Sequence, residues 1–62
     1  TGLNLGSRVR IIRVPFFGQL GEVTELPAEP QQIETGAHAR VLKVRLESGA
    51  SVIVPRANVE LV

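Results

Sequence analysis

The chain has no cysteine, tryptophan, tyrosine or methionine, a single histidine, and only two aromatic residues, Phe16 and Phe17. Without cysteine there is no disulfide framework, no thiol nucleophile and no cysteine-based zinc site. Any core must therefore be held together by packing. The poverty in aromatics also argues against a reader of proline-rich peptides or methyl-lysine, since both need aromatic grooves or cages. No apolar run approaches the ~18 residues of a membrane-spanning helix, and no basic start followed by an apolar stretch resembles a secretory leader. These absences lead to the expectation of a soluble, cytoplasmic module with no membrane partner.

What is present suits one small domain spanning residues 1–62. A chain of this length buries only about 60% of the surface its unfolded form exposes, which leaves little room for a multi-part active site. Hydrophobic residues at 44% against charged residues at 21% give an ordinary globular balance, so the chain is expected to fold. Its opening on Thr1 and its size suggest a monomeric domain taken from a longer protein.

Strand signals dominate. β-Branched residues are frequent, apolar residues recur at every second position, and Gly or Pro closes each run. The pattern predicts strands near 7–14, 21–26, 40–46, 51–55 and 58–62, with Val9, Ile11, Val23, Leu42, Val44, Val52, Val54 and Leu61 in the core. The step Ile11-Ile12 reverses the alternation of the first strand and suggests a bulge there, or a strand covered on both sides late in its course. Residues 27–39 contain Pro27, Pro30 and Gly36 with no steady period, and read as a long, mobile connection.

The turn after Leu46 allows a test of register. A two-residue loop at Ser48-Gly49 would set Lys43 against Val54, whereas a three-residue loop, Glu47-Ser48-Gly49, pairs Val44 with Val52 and Leu42 with Val54. Only the second keeps apolar residues together, and it requires Gly49 to be left-handed. Five short antiparallel strands with one tight turn before the last predict an all-β fold, a small curled barrel.

The net charge is only +1, yet the signs are segregated along the chain. Arg8, Arg10 and Arg13 come first, then Glu22, Glu25, Glu29 and Glu34, then Arg40, Lys43 and Arg45. A basic face would form if the first and third blocks were neighbours, and it would suit a polyanion.

The stretch from Gly6 to Val23 resembles the KOW motif of NusG-type transcription elongation factors and some ribosomal proteins. In that motif a glycine leads into an alternating apolar strand, then a loop, then a glycine followed by one further residue and a valine. Gly6, Val9, Ile11, Pro15, Phe16, Gly21 and Val23 occupy these places. Val14 stands where many members have glycine, and residues 27–39 replace a shorter turn. The resemblance implies a five-stranded antiparallel SH3-like barrel that contacts RNA, DNA or partner proteins.

On that basis Arg10, Arg13, Lys43, Arg45 and Arg56 are candidate phosphate contacts, and Phe17 is a candidate stacking platform for a base. Phe16 and Phe17, being adjacent, are expected to divide between core and surface. The implied partner is RNA or a nucleic-acid-containing assembly of transcription or translation, bound without sequence specificity. The alternatives are a protein-interaction module, using the acidic 27–39 segment or a strand edge, and a structural spacer. Enzymatic function is not expected, because nothing sets a base against Ser7, Ser48 or Ser51. No cofactor is implied, and His38 could hold a metal only by borrowing Glu29 or Glu34, so no metal site is expected.

Overall fold

The computed structural model describes residues 2–33 and 35–62. Its strands are β1 (Arg8–Ile11), β2 (Leu20–Glu25), β3 (Gln31–Gln32), β4 (His38–Ala39), β5 (Val41–Leu46), β6 (Ser51–Pro55) and β7 (Val59–Leu61), and a 3-10 turn spans Arg56–Asn58. Five of them form one antiparallel sheet in the order β6-β5-β2-β1-β7, and β3 pairs with β4 alone. The five strands of the sheet are those expected from alternation.

The sheet has to coil. If it were flat, its edges β6 and β7 would lie about 19 Å apart at the usual strand spacing. They also run in the same sense, since each is antiparallel to its neighbour along the order. Yet only Arg56–Asn58 joins them, and the four steps from Pro55 to Val59 span at most about 14 Å when fully extended. The sheet is therefore curved, and its inward-facing residues share one core.

That core holds Val9, Ile11, Val23, Leu42, Val44, Leu46 and Val54. Phe16, Leu26, Val52 and Val59 pack against it from partly buried positions. Leu61, expected in the core, is 51% exposed. It lies directly opposite Val9, but β7 is an edge strand and no further strand covers that side. Val41, which alternation assigns to the outer face, is nevertheless buried.

The β5–β6 hairpin has the register argued from apolar matching. Leu42 faces Val54 and Val44 faces Val52, and Gly49 has φ +99°. The turn is closed by Gly49 N–H donating to Leu46 O (2.8 Å) and Leu46 N–H donating to Ala50 O (2.8 Å).

Two local expectations are corrected. β1 stops at Ile11 rather than at residue 14, and Ile12 N–H donates to Asn58 O (2.8 Å). The reversed alternation there marks the end of the strand. The irregularity lies in β2, where the register on β5 shifts between Val23 and Glu25. The long connection 27–39 is also not featureless: Gln31 pairs with Ala39 and Gln32 with His38. Its tip repeats the bonding of the β5–β6 turn, with Gly36 N–H donating to Ile33 O (2.8 Å) and Ile33 N–H donating to Ala37 O (2.9 Å). Gly36 has φ +88°.

Gly21 serves a different need. It sits inside β2, and a Cβ there would overlap Val44 Cγ1 and come within 2.7 Å of Arg45 O. The absent side chain lets β2 and β5 approach closely at the row where Gly21 faces Leu46.

Candidate binding groove

The outer face of the sheet carries the charges, and the strand order decides what they add up to. The acidic β2 lies between the basic β1 and β5, so the first and third basic blocks are not neighbours. Register places Glu22 beside Arg8 and Arg45, Glu25 beside Lys43, and Glu60 beside Arg10. Ion pairs follow: Arg8–Glu47 (2.9 Å), Arg10–Glu60 (2.8 Å), Lys43–Glu25 (3.6 Å) and Arg45–Glu22 (3.8 Å). All four are solvent-exposed, each worth ~0–1 kcal/mol. Together they convert a segregated sequence into a face of alternating sign.

Among the expected phosphate contacts, then, Arg10, Lys43 and Arg45 each already have a carboxylate partner. Arg56 is turned to the protein, its guanidinium donating to Pro27 O (3.2 Å) and so tying the start of the β3–β4 arm to the 3-10 turn. Arg13 is exposed and donates to the carbonyl of Ile12 (3.3 Å). Phe16 packs against the core while Phe17 is 68% exposed, the division expected for adjacent rings. His38 sits exposed in β4, and among the described residues no three potential metal ligands come together. Glu34, considered above as a metal ligand and part of the acidic block, lies outside the described residues.

Of the concavities on the described residues, one is lined by charged side chains of the sheet face and the β5–β6 turn, Arg8, Glu22, Arg45 and Glu47 among them, and the other is apolar. A groove of about 480 Å³ runs between the β1–β2 loop and the β3–β4 arm. Arg13, Val14, Pro15 and Phe16 line one side of it, and Gln31, Gln32 and Ile33 the other. Its base is Val41, Ile53, Val54 and Pro55, with Asn58 of the 3-10 turn contributing as well. Arg13 is the single charged residue among the described lining residues.

Local sequence explains each wall. Pro15 and the turn closed by Gln19 N–H on Phe16 O (3.1 Å) hold the β1–β2 loop. The β3–β4 arm is held by its own ladder and by Arg56. Val41 is placed across from Pro55, on the face opposite Leu42, and its position on the groove beside the arm accounts for its burial. Ile53 remains 63% exposed.

Sequence reasoning singled out none of the groove's base as a binding residue. One signal was available: Ile33-Glu34-Thr35-Gly36-Ala37 and Leu46-Glu47-Ser48-Gly49-Ala50 are the same kind of pentapeptide. The turn read at the second could have been read at the first. Comparison with protein-family models, with curated proteins and with solved structures found no match.

Proposed function

We propose that this chain is a non-catalytic binding module, an SH3-like barrel of the KOW kind, and that its partner is a protein held in the groove beside β6. The observation that carries this reading is the apolar groove itself, with Ile53 63% exposed on its base. Exposed β-branched residues in a concavity lose water when a partner's side chains enter, which is the main driving force of association. The outer sheet face supplies no comparable force for a polyanion, because each of its four cations faces a carboxylate.

Selection from a phage-displayed library of random ten-residue peptides tests the reading. Peptides should be enriched on the wild-type chain and lost on an Ile53→Asp variant that keeps its amide spectrum. If no peptide is enriched, or if enrichment ignores Ile53, the groove is not the site.

A second reading keeps nucleic acid as the partner but moves it to the β1–β2 loop, where Phe17 is 68% exposed and Arg13 has no carboxylate partner among the described residues. A ring and a guanidinium on one loop can stack on and neutralise a single-stranded segment. Oligouridine that shifts the Phe17 and Arg13 amides, and loses affinity steeply with salt, would favour it over the groove.

A further inference from the structure

Three successive residues of β6, Ile53, Val54 and Pro55, line the groove. Successive residues of a strand point to opposite faces. A groove that touches all three therefore meets the strand at its edge rather than on one face. β6 is an outermost strand of the sheet, so that edge has no neighbouring strand.

The main-chain groups available there follow from the register. Leu46 N–H donates to Ala50 O and Arg56 N–H donates to Arg40 O, at 2.8 and 2.9 Å. These two bonds bracket the hairpin and set its parity, so Val52 and Val54 are the residues that exchange hydrogen bonds with Val44 and Leu42. The N–H and C=O of Ser51 and Ile53, and the C=O of Pro55, are directed to the open side. Edge strands are commonly guarded by charge, by proline or by a bulge. β6 has no charged residue and carries its proline only at the end.

We infer that the groove takes its protein partner by strand addition: an extended segment pairs antiparallel or parallel with the free edge of β6, apolar side chains alternating into the groove, and a carboxylate beside Arg13. The inference rests on the protein-binding reading above and specifies its mode. Chemistry on both sides of the interface selects this occupant. The unpaired groups on Ser51 and Ile53 match an extended main chain. The apolar base of Val41, Ile53 and Pro55 matches every second side chain. Arg13, the only charge among the described lining residues, matches an acid. A proline-rich helix fits less well, since Phe16 is the single aromatic in the lining.

The test uses the whole 62-residue chain and the ten-residue peptides selected on it. Strand addition predicts enriched peptides with apolar residues at alternate positions and an Asp or Glu near one end. At saturation with such a peptide, amide hydrogen exchange at Ser51 and Ile53 should slow at least tenfold. Ile53→Pro removes the outward N–H together with the Ile53 side chain, and should weaken the peptide at least tenfold more than Ile53→Ala, which removes the side chain and keeps the N–H. The exchange measurement needs no variant, so the inference stays testable if Ile53→Pro does not fold.

Enriched peptides that shift groove resonances yet leave Ser51 and Ile53 exchanging freely would overturn strand addition while leaving the protein-binding reading in place. Protection of both amides without peptide, accompanied by a dimer in sedimentation, would make a second copy the occupant and overturn the assignment to a partner. Absence of any enriched peptide would remove both readings together.

Discussion

At Gly21 and Gly49 the same residue type answers two separate demands. At Gly49 the backbone is left-handed, φ +99°, where a Cβ costs about 1–2 kcal/mol. Nothing lies within 4 Å of the site where that Cβ would be. At Gly21 the conformation is ordinary and space is the constraint, with Arg45 O only 2.7 Å from the point a methyl carbon would occupy. Gly49→Ala should therefore lower stability by about 1–2 kcal/mol. Gly21→Ala should lower it by ~1–3 kcal/mol, as overpacking does, and should also loosen the β2–β5 pairing. Urea midpoints and exchange at Glu22 and Arg45, whose amides lie between β2 and β5, separate the two; an unshifted midpoint for Gly21→Ala would mean β2 and β5 do not approach closely. Burial draws a similar contrast between Val44, fully buried, and Leu61, half exposed. Val44→Ala should cost ~1–3 kcal/mol, and Leu61→Ala within about 0.5 kcal/mol of nothing.

The elements differ in what holds them. β5 is paired on both sides and supplies three buried inward residues, Leu42, Val44 and Leu46. The β3–β4 arm has two paired positions on each strand, a turn of the same kind as that after β5, and the tie from Arg56 to Pro27. Few buried contacts and many exposed hydrogen bonds place it at the low end of local stability. Gly36→Ala should accordingly raise exchange at Ile33 and Ala37 while the unfolding free energy of the sheet, from urea denaturation, stays within about 0.5 kcal/mol of wild type. A rise in exchange matched by an equal loss of sheet stability would mean that the arm and the sheet unfold as one unit. Because the arm forms one wall of the groove, the same variant should weaken selected peptides without abolishing the fold.

For the whole molecule, a radius of gyration of 10.7 Å is close to the ~10.6 Å expected of a compact domain of this length, so the arm is folded in rather than extended. Charge acts at this scale too. Replacing Glu22, Glu25, Glu47 and Glu60 by Gln removes four negative charges and takes the net charge from +1 to +5, leaving Arg8, Arg10, Lys43 and Arg45 unpaired on one face. Wild type should bind a twelve-residue oligouridine weakly, and the four-Gln variant should bind it more tightly with a steep loss as salt rises. Charge reversal at Lys43 and Arg45 should change little in the wild-type background, since both already face carboxylates. If that reversal instead abolishes a strong RNA affinity, the strand face is a nucleic-acid site after all.

Alternation and turn chemistry act between residues close in sequence, and from them follow five strands, the register of β5 on β6, the left-handed Gly49 and most of the core. These features need only the two-residue period of a strand and the requirement that apolar faces meet. The β3–β4 hairpin was legible too, in the repeated Ile33 to Ala37 pentapeptide, but two prolines obscured it. Tertiary structure alone decided the rest. Strand order set acidic β2 between basic β1 and β5, and no local signal carries strand order, so three charge blocks became paired rows. The edge position of β7 exposed Leu61, and the place of β6 at the other edge left Ser51 and Ile53 with free main-chain groups. The groove, finally, is assembled from a loop, an arm and a strand edge far apart in the chain, which only the folding of the sheet brings together.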